Sequence, residues 1–245
     1  MKLVSWNMNR RKSGSWDYLT RTINPDVAML QETSLLDKSF IQEHIVEVEV
    51  KKNIRNSIFS SKYKIEQINF PLEFNKDMVC AKFSLKNSDL FFISIYGNLD
   101  LFPFFTVFTG QILLMVTYLK TNYNAENIII AGDFNCDRRM DDNPTKSRFA
   151  KRGERVTNLF FDSILNIGFK NCLRKFYPDF IETYRHHMVN SRYPWELDHM
   201  FCTNNLYEKL KNIEVLNNSQ VEELSDHNPI IANFDIDFLK KILFY

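Results

Sequence analysis

The stretch NIIIAGDFNCDRR, Asn127 to Arg139, decides how this chain is read. Ile128, Ile129, Ile130 and Ala131 form a short β-branched apolar run, which reads as a buried strand. The run stops at Gly132, and Asp133 and Asn135 follow at once. Residues two apart in an extended segment project to the same side. A carboxylate and a carboxamide therefore leave this strand end together. Such a carboxylate is costly unless a cation or hydrogen-bond donors meet it. An Asx-rich turn would explain Gly132 and Asp133 by themselves, so the rest of the chain has to supply partners.

Outward from this stretch, other strands end in the same way. Lys2 to Met8 reads as a strand that ends on Asn7 and Asn9 in SWNMN. Asp26 to Glu32, DVAMLQE, ends on Glu32. Leu90 to Tyr96 ends on Tyr96, with Asn98 beyond it, in SIYGN. Glu196 to Thr203, ELDHMFCT, carries Asp198 and His199 near its start. LSDHNP places Asp226 and His227 just before the strand Pro229 to Ile236. Met78 to Leu85 precedes Leu90 to Tyr96 as the first arm of a hairpin around KNSD. Helices are expected for WDYLTRTI, capped by Ser15 and stopped at Asn24-Pro25, for KSFIQEHIVEV, and for Arg155 to Phe169. Strands alternate with helices, but adjacent strands also occur, which predicts an α/β protein with mixed sheets.

The chain has 245 residues, 44% hydrophobic and 14% aromatic, enough to bury a sizeable core in one compact domain spanning 1–245. Its net charge of +1 favours no class of partner, so binding a polyanion requires a local basic patch. Cys80, Cys136, Cys172 and Cys202 lie far apart with no CxxC spacing. That argues against a disulfide scaffold or zinc knot and for a reducing, cytoplasmic compartment. The apolar stretch of MKLVSWNMNRR is too short for a signal peptide. Leu101 to Leu119 carries no charge, but it contains Pro103, Gly110 and Gln111 and sits between two strands of the same group. It is read as a buried helix rather than a transmembrane segment, with a self-association or partner surface as its other use.

Ligands of α/β sheets gather outside strand ends, where distant segments converge. Asp, Glu and Asn oxygens are hard donors that suit Mg²⁺ or Mn²⁺ rather than zinc. The order WNMN, QE, Tyr96 before an apolar helix, GDFN, LDH and SDHNP resembles the endonuclease/exonuclease/phosphatase superfamily, over nearly the whole span Trp6 to Pro229. That group includes exonuclease III, abasic-site endonucleases, deoxyribonuclease I, sphingomyelinases and inositol-polyphosphate 5-phosphatases. The resemblance implies a four-layered α/β sandwich, with two packed mixed sheets flanked by helices. It implies Glu32 as principal metal ligand, with Asn7 and Asp226 beside it. It implies Asp133, Asn135, Tyr96 and His227 around a scissile phosphate, with Asp198 orienting His227. Whether Asp133 or His227 takes the proton of the attacking water stays open. The reaction is in-line attack of water on phosphorus, with no covalent intermediate. His186, His187 and His199 are read as surface or supporting residues.

The substrate must be read from loops. Arg138, Arg139, Lys146, Arg148, Lys151, Arg152 and Arg155 follow GDFN, and Arg10, Arg11 and Lys12 follow WNMN. A basic rim around a phosphate-cleaving centre fits a nucleic-acid backbone, DNA before RNA. A solvated charged loop is the plainer reading of the same residues. Trp16, Tyr193 and Trp195 are candidates for stacking on bases or for packing. The alternative substrate is a small or lipid phosphoester of the inositol phosphate or sphingomyelin type. YPWELDH keeps the Pro194 and Trp195 of the 5-phosphatase motif but lacks its arginine.

Overall fold

The computed structural model describes residues 1–10, 13–34, 44–70, 77–84, 88–97, 104–142, 156–185 and 194–236, the side chains of 13 and 104–107 excepted. One sheet runs, in spatial order, β11 (Leu210–Val215), β12 (Ile230–Phe234), β1 (Lys2–Asn7), β2 (Val27–Thr33), β4 (Ile54–Ser60) and β3 (Ile45–Lys51). The other runs β5 (Glu66–Gln67), β6 (Met78–Ser84), β7 (Asp89–Tyr96), β8 (Asn127–Asp133), β10 (Asp198–Thr203) and β9 (Phe169–Asn171). Each sheet has one parallel pair, β1 with β2 and β7 with β8, among antiparallel neighbours.

Parallel neighbours need a crossover. The first is α1 (Ser13–Asp17) with a π-helical continuation, Tyr18–Ile23; the second is α2 (Phe104–Tyr123). A crossover returns the chain to the same edge of the sheet, so both strands of a pair point their C-terminal ends the same way. In register, Asn7 stands beside Gln31, and Tyr96 beside Asp133. This is why polar residues at four strand ends can serve one place.

The strand alternation builds the layers. In β8, Ile129 and Ala131 join Leu3, Met29, Phe92 and Met200 in a core between the two sheets. Ile128 and Ile130 face the other way, onto Phe108, Ile112, Met115, Val116 and Leu119 of α2 and Phe160, Phe161 and Ile164 of α3 (Val156–Asn166). On the far side of the first sheet, Val4, Trp6, Ala28 and Leu30 pack on Tyr18, Leu19, Ile23 and on Val221 of α4 (Ser219–Leu224). The result is helix, sheet, sheet, helix, with β8 apolar because both of its faces are covered.

The uncharged helix is a core helix. Its described apolar residues 108, 112, 115, 116 and 119 recur at helical spacing on one buried stripe, with Leu114 exposed on the opposite side. Among the described residues no helix is long and apolar enough to cross a membrane. The side chains of Phe104 and Phe105 lie outside the described residues.

Two sequence expectations are corrected. The part of KSFIQEHIVEV from Ile45 onward is strand, paired antiparallel to β4, and 35–43 lie outside the described residues. Ile45, Val46 and Val48 are β-branched, and Val46 turns to the inter-sheet core while Glu47 meets Arg55. The period of two wins because β4 is there to pair with it. Ser15 does not cap its helix. It lies inside α1, buried, with an Oγ that has no hydrogen-bond partner among the described residues.

Gly132 has φ +148°, and an added Cβ would lie 2.0 Å from the Ile95 carbonyl oxygen across the parallel pair. No flexible group can yield there, because the obstacle is backbone. Gly132→Ala is therefore expected to destabilise the protein by about 3 kcal/mol or more. A shift of the urea midpoint equivalent to under 1 kcal/mol would show that β7 and β8 part more easily than this register implies.

Candidate active site

The four strand ends meet in a cavity of about 330 Å³ lined by Asn9, Glu32, Tyr96, Asp133, Asn135, Met140, Tyr184, Trp195, Leu197, Asp226 and His227. Asp133, the last residue of β8, is buried and heavily engaged. Its Oδ1 accepts from the Asn135 N–H at 2.8 Å. Its Oδ2 accepts from Asn7 Nδ2 at 2.9 Å and from Asn135 Nδ2 at 3.2 Å. Asn135 can reach back because its own φ is +51°, a conformation that Asn tolerates, and its Nδ2 also donates to the Gly97 carbonyl at 2.8 Å.

His227 lies across from it. Its Nδ1 is 2.8 Å from Asp198 Oδ2, and its Nε2 is 3.9 Å from Asp133 Oδ2. The backbone holding it is braced from three sides. Ser225 Oγ donates to the Asn7 carbonyl at 2.7 Å and accepts from the His227 N–H at 3.1 Å. Trp6 Nε1 donates to the His227 carbonyl at 3.1 Å. Thr183 Oγ accepts from the Leu197 and Asp198 N–H groups, each at 2.9 Å, and so fixes Asp198. Asp198 Oδ1 meets no hydrogen-bond donor among the described residues.

These neighbours decide the protonation states. Burial drives the Asp133 carboxyl up to about 7, although His227 opposes the shift and the Asn135 and Asn7 hydrogen bonds also favour the anion. Burial alone would lower His227, but Asp198 and Asp133 overcome it and raise the imidazole to about 10. The Asp198 and Asp133 carboxylates thus favour the imidazolium form of His227, and burial favours the protonated form of Asp133.

At the other end of the cavity, Glu32 occupies a bulge where β2 slips register against β4, and its φ is +50°. Tyr96 Oη donates to Glu32 Oε1 at 2.9 Å, and Arg10 Nε donates to Glu32 Oε2 at 2.7 Å. Burial and the Glu32 carboxylate both push the Tyr96 phenol far above its ordinary value, so it stays a neutral donor. Asn9 Nδ2 donates to Asp226 Oδ1 at 2.8 Å. Asp133, Asp198 and His227 offer one ligand atom each within 4.8 Å of one another, a spacing that could hold a metal ion.

Residues 4–227 match the sequence pattern of the Endonuclease/Exonuclease/phosphatase family. The chain belongs to that family. Solved structures that share the fold include an AP endonuclease from Archaeoglobus fulgidus, 21% identical, with TM-score 0.69, covering 96% of this chain and 100% of that one. A 3′ phosphatase from Neisseria bound to a product DNA hairpin is 20% identical, with TM-score 0.71 and coverage of 96% and 100%. The endonuclease domain of a telomere-specific non-LTR retrotransposon is 15% identical, with TM-score 0.72 and coverage of 96% and 99%. No curated protein matches the chain.

Of the residues that the motif order singled out, Glu32, Tyr96, Asp133, Asn135, Asp226 and His227 line the cavity, and Asn7 and Asp198 stand behind it on Asp133 and His227. The basic residues divide. Arg10 stands at the cavity on Glu32. Arg138 and Arg139 do not line it. Arg138 turns to Asp162 at 2.8 Å and to the ring of Phe161. Arg139 pairs with Asp137, donates to the Pro194 carbonyl at 2.7 Å and covers the ring of Phe180. Both border a second cavity, with Arg174, Glu196 and His199. The 3₁₀ turn Arg138–Met140, capped by Asp137, is what directs them there. Arg11, Lys12, Lys146, Arg148, Lys151, Arg152, Arg155, Tyr193, Asn98, His186 and His187 lie outside the described residues.

Trp195 lines the cavity, whereas Trp16 packs edge-on against Phe59. His199 is buried on the opposite face of β10, its Nε2 2.9 Å from the Cys136 carbonyl. Tyr184 went unnoticed in the sequence. Its ring lies 4.7 Å from that of His227, and it bridges by backbone to both Trp195 and His227. Its segment has no period to read.

Proposed function

We propose that this member of the family is a divalent-metal-dependent phosphodiesterase that hydrolyses a nucleic-acid backbone, DNA before RNA, by in-line attack of water. The observation that carries the reading is the convergence of Asp133, held by Asn7 and Asn135, and His227, held by Asp198, across one cavity that Glu32, Tyr96 and Asp226 also line. Asp133 takes the proton of the attacking water. His227, held by Asp198, donates to a phosphoryl oxygen, and the Asn135 amide joins it by giving up its bond to the Gly97 carbonyl, while Tyr96 holds Glu32 in place. The Asp198 and Asp133 carboxylates favour the charged imidazole at His227, which supports Asp133 rather than His227 as the base.

The residues fit a divalent ion. Glu32, Asp133, Asp198 and Asp226 gather around one cavity, with Arg10 on Glu32 and His227 on Asp198. The Asp133–Asp198–His227 trio is the poorer cradle, because a charged imidazole does not ligate. Glu32, with Asn7 and Asp226, offers hard oxygens that suit Mg²⁺ or Mn²⁺. When bound, such an ion neutralises charge on the phosphoryl oxygens. A DNA substrate is supported by the fold-sharing structures named for AP endonuclease and for a DNA-bound 3′ phosphatase, and by Arg10 at the cavity. Arg11, Arg148, Lys151 and Arg152 are proposed from the sequence as further phosphate contacts.

The test offers supercoiled plasmid, single-stranded DNA, RNA, an inositol polyphosphate and sphingomyelin, each with Mg²⁺ and with a chelator. Plasmid nicking that stops with the chelator is expected. Inert nucleic acids with phosphate release from a small substrate would replace this reading by the phosphoester alternative.

A further inference from the structure

Arg10 combines two features that do not arise by chance in one loop. Its φ is +60°, a left-handed conformation that residues bearing a Cβ adopt at a cost. The conformation is held in place, because the Arg10 N–H donates to the Glu32 carbonyl at 2.8 Å. The same two residues also meet through their side chains, Arg10 Nε to Glu32 Oε2 at 2.7 Å. Glu32 is itself left-handed at +50°. Two strained residues thus face each other at the strand ends, tied by backbone and by charge.

The consequence concerns Glu32. Tyr96 holds one carboxylate oxygen and Arg10 the other, so both are engaged in the free protein. The Glu32 side chain is only 14% exposed, whereas that of Arg10 is 52% exposed. The carboxylate is fixed, and the guanidinium lies at the water boundary with room to leave. A pair whose cation is half exposed to water can exchange that cation for another. Once released, the guanidinium stays tethered at the cavity mouth by its backbone and has a fork of donors matched to phosphate oxygens.

We infer that Arg10 is the resident counter-cation of Glu32, which the divalent ion displaces and which then turns to the phosphate of the substrate. Cation binding and phosphate binding are thereby coupled through one side chain. This rests on the reading of Glu32 as a cation ligand. Coupling of this kind is reciprocal, so a bound phosphodiester also eases cation entry.

The experiment titrates Mn²⁺ into metal-free protein and reads binding by electron paramagnetic resonance. Arg10→Gln and Arg10→Gly are each expected to bind Mn²⁺ about tenfold tighter than wild type, because a competing positive charge is gone. Arg10→Gly also accepts φ +60° without strain, so its thermal midpoint in chelator should not fall. Duplex DNA binding is then measured with and without Mn²⁺ in an Asp133→Asn background. Mn²⁺ should strengthen DNA binding severalfold more when Arg10 is present than in the Arg10→Gln protein. Equal Mn²⁺ affinities in all three proteins, or an equal gain in DNA binding, would overturn the exchange. Glu32→Gln separates the two levels. If it binds Mn²⁺ as well as wild type does, or if wild type binds none, the placement of the cation at Glu32 fails and the exchange falls with it.

Discussion

Asp133→Asn is expected to lower phosphodiester hydrolysis by about a thousandfold while leaving the protein folded. The substitution keeps shape and keeps an oxygen to accept from the Asn135 N–H, the 2.8 Å bond that turns the chain after β8. It removes what the proposed role of Asp133 needs, an anion that can take a proton. The side chain is buried, and burial is what lifts its carboxyl to about 7. A neutral amide is spared that desolvation, but it gives up its attraction to His227 at 3.9 Å. The two effects oppose each other, but the new NH2 faces the Asn7 and Asn135 amides that donate to Oδ2, so the thermal midpoint should fall modestly while the protein stays folded. Initial rates of plasmid nicking, with thermal unfolding on the same preparations, check both halves. A loss below tenfold in a folded variant would place the base elsewhere and return His227 to consideration.

What could be read in advance follows from geometry. Asn7, Glu32, Tyr96 and Asp133 end strands of two parallel pairs, and strand ends can be recognised in sequence because an apolar run stops at a polar residue. The pairing of those strands into two stacked sheets could not be read locally, since it joins residues as distant as Lys2 and Asn233. The misread segment before β3 shows a similar limit. Ile41, Ile45 and Val48 recur at spacings of four and three, which imitates a helix, while Val46, Val48 and Val50 recur at two. Only the presence of β4 decides between them. Arg138 and Arg139 show what charge alone leaves open. They follow the GDFN motif directly, yet Asp137, Asp162 and Phe180 draw them away from the cavity. Conversely Arg10 was legible as a basic residue at a strand end, but its strain and its hold on Glu32 depend on backbone angles that composition does not encode.

Removing His227 should change how stability depends on pH more than any other single substitution at this site. Its imidazole rises from an ordinary 6.5 to about 10 in the folded chain, because Asp198 and Asp133 outweigh the effect of burial. A raised value means that the folded state holds the proton more tightly than the unfolded state does. The stabilisation is then complete below pH 6.5 and disappears as pH rises through 10. Asp133, raised from 3.8 to about 7, acts in the same direction at lower pH, and its contribution is lost before that of His227 begins to fade strongly. In metal-free protein, wild type should therefore exceed His227→Gln in stability by a few kcal/mol near pH 6, and the gap should close by pH 10.5. Below pH 6 the gap narrows again, because in the variant Asp133 can protonate and so avoid being buried as an uncompensated anion. Urea unfolding at a series of pH values in chelator measures the difference directly. Asp198→Asn supplies the check on cause: the His227 imidazole, followed by NMR, should then titrate well below 10, since the 2.8 Å contact that holds its proton has lost its charge. A gap that stays constant from pH 6 to pH 10.5 would mean that His227 is neutral in the fold, and would leave Asp133 with no imidazolium to share the phosphate with.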